Sequence, residues 1–202
     1  MSGRTPHIAC IVLAAGRSTR MGSTNKLLAD IAGKSMVRRV TETACASSGR
    51  PVLVVTGHMA GEVAAAVSGL DVGVVANPEY ASGLASSLKT GIKALPRQCE
   101  GALIVLGDMP RITAGHLDRL IGAFRPDTIV VPVRAARYGN PVLWPAKYFP
   151  ELLRLEGDAG AKRLLGAHSA LVREIDLGTD AIFADVDTPD ELARMRQEKP
   201  SA

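Results

Sequence analysis

Residues 13 to 28 read Leu-Ala-Ala-Gly-Arg-Ser-Thr-Arg-Met-Gly-Ser-Thr-Asn-Lys-Leu-Leu and set Arg17, Arg20 and Lys26 beside a run of small residues. This mixture suits a polyphosphate. Ala14, Ala15 and Gly16 let the backbone come close to a ligand, and a glycine-containing turn aims successive N–H groups at phosphate oxygens. The three cations neutralise charge that moves onto a leaving pyrophosphate. The alternative for the same stretch is a solvated basic loop. Further along, Asp108 follows an apolar run and stands where a buried strand would end, which is where open α/β sheets bind ligands. Asp187 precedes Thr188-Pro189, so its local reading is a helix cap or a turn residue. Asp185 points the same way as Asp187 if the segment is extended. Asn77, Gly83, Ser86 and Ser87 fall in a turn entering a helix, where free N–H groups and hydroxyls suit a nucleotide or its phosphates and where either serine also suits a cap.

The elements that must position these groups alternate along the chain. Apolar runs at Ile8 to Leu13, Val52 to Thr56, Val72 to Ala76, Ala102 to Leu106 and Thr128 to Val133 read as strands, the last three buried on both faces. Helical spacing marks Ser35 to Ser48, Met59 to Val67, Ser82 to Leu95 and Thr113 to Phe124 as crossover helices. A helical Ala146 to Leu155, a helical Ala159 to His168, a strand and a closing helix from Pro189 follow. The pattern predicts a three-layer α/β sandwich with a mostly parallel, mixed sheet. With 202 residues, 47 % hydrophobic and 22 % charged, the chain suits one domain over 1–202, its core at about 7–197. A net charge of +4 with 3 % aromatics and no basic run argues against nucleic acid as partner. Cys10, Cys45 and Cys99 are spaced too widely for a zinc or redox motif, which predicts reduced thiols in the cytosol. The four histidines are dispersed, and His58, after Gly57, reads as structural. No segment is predicted to span a membrane.

Two familiar phosphate motifs are excluded. Gly16 and Gly22 stand with five residues between them, too far apart for a Rossmann dinucleotide fingerprint. Gly33-Lys34-Ser35 looks like the end of a P-loop, but Leu28 occupies the position of the earlier glycine, so the segment opens a helix instead.

Residues 13 to 28 resemble the signature of the molybdenum-cofactor cytidylyltransferases, within the MobA-like NTP transferases. Further segments occur in that family's order: Asn77-Pro78-Glu79-Tyr80 with Gly83-Leu84 and Ser86-Ser87-Leu88, Leu106-Gly107-Asp108-Met109-Pro110, Gly139-Asn140-Pro141, Gly157-Asp158-Ala159-Gly160-Ala161, and Asp185-Val186-Asp187-Thr188-Pro189. The resemblance implies a Rossmann-like, GT-A-like fold and transfer of CMP from Mg²⁺-bound CTP to molybdopterin, with release of pyrophosphate. It implies nucleotide binding by Leu13, Ala14, Ala15, Gly16, Arg17, Ser18, Lys26, Asn77, Gly83, Ser86, Ser87 and Asp108, and catalytic roles for Arg20, Lys26 and Asp108. It makes Asp108 and Asp187 the Mg²⁺ ligands and puts Asn140 and Asp158 on the acceptor side. The ion's preference for one or two carboxylates besides phosphate oxygens and water fits that assignment. An acceptor phosphate is already anionic near neutral pH, so direct displacement needs no general base and no covalent intermediate.

Several departures bear on specificity. Relatives often carry His where Asn140 stands and Pro where Ser35 stands, and Ser23-Thr24-Asn25 lengthens the loop before Lys26. The Ala14-Ala15-Gly16 turn resembles the pyrimidine-nucleotide enzymes, whereas guanylyl-transferring relatives tend to show Ala-Gly-Gly. Two further readings stay open at the level of sequence. One is a transferase of the same fold that uses GTP or another nucleotide on another phosphorylated acceptor. The other is a binding factor that delivers finished cofactor to a molybdoenzyme.

Overall fold

The computed structural model describes residues 6–18, 25–158 and 161–197. In chain order it forms β1 (Ile8–Ala14), a short hairpin of β2 (Asp30–Ile31) and β3 (Lys34–Ser35), α1 (Met36–Ala46), β4 (Val52–Thr56), α2 (Ala60–Ala66) and β5 (Gly73–Ala76). Next come α3 (Leu84–Lys93), β6 (Gly101–Leu106), α4 (Ala114–Gly122), β7 (Ile129–Arg134), β8 (Arg137–Tyr138) and β9 (Val142–Pro145). The chain closes with α5 (Phe149–Leu152), α6 (Lys162–Ala167), β10 (Val172–Asp176) and α7 (Pro189–Gln197).

The main sheet has the order β10-β7-β9-β6-β1-β4-β5, with β8 on β7. Pairings are parallel for β4–β1, β1–β6, β4–β5 and β7–β10, while β9 runs antiparallel to β6 and β7. Alternation along the strands sends Cys10, Val12, Leu103, Val105 and Leu143 to one face, under α1, α2 and α4. Ile11, Leu13, Ala102, Ile104, Val142 and Trp144 go to the other, under α3, α5 and α6. This is the predicted three-layer sandwich.

Chain direction reverses at β1. After β1 the chain builds outward through β4 and β5, then returns to lay β6 on the opposite side. Crevices at such switch points, beyond the carboxyl ends of the strands, are where ligands bind. Register pairs Leu13 with Leu106, so the loops after β1 and β6 leave the sheet side by side. Gly107 N donates to Leu13 O at 3.0 Å, and a Cβ on Gly107 would lie 2.9 Å from that oxygen, so only glycine allows this approach.

Three expectations change. Val72 to Ala76 is not buried on both faces: β5 is an edge strand, and Gly73, Val74 and Ala76 are exposed. Ala146 to Leu155 is not one helix, because a 3₁₀ turn at Ala146–Tyr148 precedes the four-residue α5. Gly33 does not lie in a helix either; at φ +80° it turns the β2–β3 hairpin, after which Ser35 leads into α1. That hairpin matters for the site. Ala29, Ile31 and Met36 pack against Val186 and Leu192, which ties the C-terminal α7 to the loop after β1. Burial of the larger side chains among them, Ile31, Met36, Val186 and Leu192, contributes roughly 1.5–3 kcal/mol each. All three cysteines are free, and among the described residues no helix is long and apolar enough to cross a membrane.

Candidate active site

At the carboxyl end of β1 and β6 lies an open cleft of about 480 Å³, lined among others by Leu13, Ala15, Gly16, Arg17, Ser18, Lys26, Gly83, Ser87, Asp108 and Asp158. On its floor the Lys26 ammonium lies 2.7 Å from Asp108 Oδ2 and 2.5 Å from Asp187 Oδ1. Lys26 and Asp187, 161 positions apart, thus meet. Asp108 stands just past β6, and its carbonyl accepts from Val186 N at 3.0 Å, which fixes the Asp187 segment beside Asp108. Burial alone would depress the Lys26 ammonium, but Asp108 and then Asp187 outweigh it and hold its pKa above the ordinary lysine value.

The cap reading of Asp187 does not hold. Thr188 precedes α7, its hydroxyl accepts from Glu191 N, and Glu191 Oε2 accepts from both Asp187 N and Thr188 N at 2.8 Å. Those donors hold the Glu191 carboxyl below its usual range. This is a reciprocal cap built by Thr188 and Glu191, which leaves the Asp187 carboxylate to Lys26. Asp185 is exposed and makes no hydrogen bond to Lys26 among the described residues.

The cluster also fits a hard divalent cation. Asp108 Oδ1 is buried without a hydrogen-bond partner among the described residues, although a carboxylate oxygen in that setting seeks a donor or a cation. Two carboxylates and an open cleft are what Mg²⁺ or Mn²⁺ takes in company with phosphates, and no histidine or thiolate accompanies them. Among the described residues no group of three or more metal-binding side chains gathers, so a phosphate ligand would complete the shell.

The phosphate side of the cleft is built by local hydrogen bonds. Ser18, at φ +54°, donates from Oγ to Asn25 Oδ1 and accepts from Lys26 N at 3.1 Å. Buried Asn25 also accepts from Leu27 N, so it caps the 3₁₀ turn Lys26–Leu28 that aims Lys26. Asn25 is therefore an anchor for this loop. Gly16 has nothing within 4 Å of where a Cβ would sit, so the chain itself does not require glycine there; the open space faces the cleft. Arg17 lies over the Tyr80 ring at 5.7 Å, and Tyr80 in turn neighbours the His58 ring. Arg20, Ala159 and Gly160 lie outside the described residues.

The α3 side corrects the expectations further. Asn77 Nδ2 donates to Ser86 Oγ at 2.8 Å and Ser87 Oγ at 3.0 Å, and Ser86 Oγ donates to Glu79 O and Gly83 O. Asn77 and Ser86 are therefore committed to a buried network that shapes the turn and do not line the cleft, whereas Ser87 does. The residue before α3 is Gly83, so neither serine is its cap. Gly83, at φ +109°, carries no Cβ because one would lie 2.4 Å from the Gly157 carbonyl carbon. That approach, with Ala85 N donating to Gly157 O at 3.1 Å, brings Asp158 to the cleft wall. Ala14 is fully buried in the core and supplies no lining surface. Asn140 lines a second, adjoining chamber instead of the main cleft. Tyr80, Ala81, Leu84 and Leu106 line the cleft without having been expected there.

A crevice at a sheet's switch point, with paired carboxylates opposite a cation-bearing small-residue loop, finds its counterpart among known proteins. Residues 10–172 match the model of the MobA-like NTP transferase domain.

The chain belongs to the MobA-like NTP transferase family.

It is 30 % identical to the purine catabolism protein PucB of Bacillus subtilis over 96 % of this chain and 98 % of that one. It is 29 % identical to nicotine blue oxidoreductase of Paenarthrobacter nicotinovorans, covering 94 % and 97 %. Against the molybdenum cofactor cytidylyltransferase of Escherichia coli the identity is 26 %, covering 94 % and 96 %. Among solved structures, Rv0371c of Mycobacterium tuberculosis superposes with a TM-score of 0.85 at 30 % identity, covering 96 % and 100 %, and a structure of Rv0371c in complex with manganese also matches. The chain is thus a nucleotidyltransferase by family.

Proposed function

We propose that this chain transfers CMP from Mg²⁺-bound CTP to a phosphorylated acceptor of the molybdopterin type, with release of pyrophosphate. The observation that carries the reading is the meeting of Asp108 and Asp187 at Lys26 on the cleft floor. Nucleotidyl transfer needs cationic groups for the phosphates and a hard-cation site within the length of one nucleotide, and this cleft offers both. Asp108 and Asp187 would hold Mg²⁺, which when bound neutralises phosphate charge and polarises the phosphoryl oxygens.

The chain's own residues account for the remaining work. Leu13 and Ala15 to Ser18 line the cleft for the nucleotide, and Arg17 and Lys26 offer fixed positive charge to its phosphates. With its pKa raised, Lys26 stays charged well beyond neutral pH, so it stabilises charge and neither gives nor takes a proton. Arg20 joins these cations as a catalytic residue. Asn77 and Ser86 act on the nucleotide site indirectly, by holding Gly83 and Ser87 in place. Asp158, and Asn140 through its chamber, face the acceptor. The acceptor phosphate, with a second pKa of about 6, is anionic at neutral pH and attacks in line without a general base. Positioning and charge neutralisation supply the catalysis.

The Ala14-Ala15-Gly16 turn supports CTP as donor, and the Escherichia coli cytidylyltransferase among the relatives supports a molybdopterin acceptor. The product would pass to a molybdoenzyme, in the cytoplasm. Pyrophosphate release with Mg²⁺ and molybdopterin, compared across CTP, GTP, ATP and UTP, tests the reading. CTP should be turned over much faster than the rest; equal or faster turnover of GTP would move the chain to guanylyl transfer.

A further inference from the structure

We infer that Lys26 guards the ion site: its ammonium and a divalent cation compete for the same carboxylate oxygens, so the ion settles between Asp108 and Asp187 only when nucleotide phosphates give the ammonium another partner. The inference rests on the two-carboxylate site proposed above and adds an order of events to it. The Lys26 ammonium lies 2.7 Å from Asp108 Oδ2 and 2.5 Å from Asp187 Oδ1, so it fills the space between the oxygens that would share one ion. Mg²⁺ takes its oxygens at about 2.0–2.1 Å, closer than an ammonium does, and like charges repel too strongly to occupy one such gap together. Asp108 Oδ1 is buried, so an ion entering from the cleft meets Oδ2 first, and Oδ2 is the oxygen that Lys26 holds.

The anchoring of the three groups decides which of them yields. Asp108 O accepts from Val186 N, and Asp187 N donates to Glu191 Oε2, so backbone hydrogen bonds hold both aspartates where they stand. The backbone of Lys26 is fixed as well, because Lys26 N donates to Ser18 Oγ at 3.1 Å and Asn25 caps the turn through Leu27 N. What is left to move is the lysine stem. An ammonium on a flexible aliphatic stem can exchange one anion for another while the backbone stays still. Lys26 lines the cleft with Gly16, Arg17 and Ser18, the loop read as the phosphate seat, so its new partner would bind beside the old ones. Ion and nucleotide then arrive together, and a metal ion without nucleotide meets a site already neutralised by the chain itself.

The test titrates Mn²⁺ alone into the full chain and follows the free ion by electron paramagnetic resonance. Lys26→Met keeps the stem and removes the charge, and it should bind Mn²⁺ about tenfold tighter than the wild type, the equivalent of one charge-assisted hydrogen bond that no longer opposes the ion. Lys26→Gln, a polar replacement, should show the same gain and covers the case in which Met disturbs the melting curve. Arg17→Met removes a cation that lies over Tyr80 and not between the carboxylates, so it should shift Mn²⁺ affinity by less than about twofold. Adding Asp187→Asn to Lys26→Met should cancel the gain. Mn²⁺ binding no tighter in either Lys26 variant than in the wild type, an equal gain in Arg17→Met, or a gain that survives Asp187→Asn would overturn the inference. CTP titrated with Mn²⁺ into the same samples separates the two claims: tighter Mn²⁺ in the Lys26 variants with no CTP bound by any sample would sink the transferase reading and leave the competition standing.

Discussion

Replacing Asp187 by Asn keeps the side chain's size and one acceptor oxygen while removing its charge. Lys26 is met by two carboxylates, and the substitution removes the charge of one of them. A hydrogen bond to a charged group contributes about 1.5–3 kcal/mol, but the Asp187 side chain is 33 % exposed, so the loss of folding stability should be about 1 kcal/mol or less. Loss of an ion ligand is felt more strongly in the reaction, and kcat/KM should fall by about 10- to 100-fold, partly restored by excess Mg²⁺. Asp108, with one oxygen already buried and unpartnered, should be the more damaging site when changed to Asn. The double variant should lose less than the sum of the single losses in free energy, because two ligands of one ion act as a unit. Pyrophosphate release over a Mg²⁺ titration, with parallel thermal melts, measures all four proteins. Wild-type turnover and Mg²⁺ dependence in Asp187→Asn would refute the two-carboxylate site.

Other consequences follow from the same geometry. Lys26 has its pKa raised above 10.5, so its contribution to stability is complete below that value and is lost only as pH rises through the higher folded-state pKa; the melting difference between wild type and Lys26→Met should hold constant from neutral pH to about pH 10. Gly83→Ala must move the Gly157 backbone and adopt φ +109°, which should cost roughly 1–3 kcal/mol in urea melts and raise the KM for nucleotide. Iodoacetamide should alkylate Cys45 first in the folded chain, since Cys10 and Cys99 are buried and burial pushes the Cys10 thiol up to about 11. Rapid labelling of Cys10 in the native protein would contradict that packing.

Strand and helix positions were legible because apolar runs and helical spacing report directly on burial, and Ile8, Val52 and Gly101 begin strands close to where the pattern starts them. Exposure of β5 was not, since Val and Ala in a short run read alike in a central strand and an edge strand. Asp108 was legible from its place after an apolar run. Asp187 is ambiguous from its own neighbours, but Thr188 and Glu191 stand three apart, the spacing of a reciprocal cap, and that pair releases Asp187 from capping. Asn77 and Ser86 look like ligand groups in sequence, yet they satisfy one another, a fact that only three-dimensional contact reveals. Leu84 and Leu106 line the cleft, and hydrophobicity alone does not separate such a wall from a packed one.

The central claim is that Asp108 and Asp187, brought together from distant parts of the chain, hold the catalytic ion against the nucleotide. Crystals grown with CTP and Mn²⁺, measured at the manganese absorption edge, test this most directly. The account predicts one anomalous peak bound by carboxylate oxygens of both Asp108 and Asp187 and by nucleotide phosphate, with Lys26 beside it. A peak that touches neither aspartate, or a nucleotide bound away from this cleft, would contradict it.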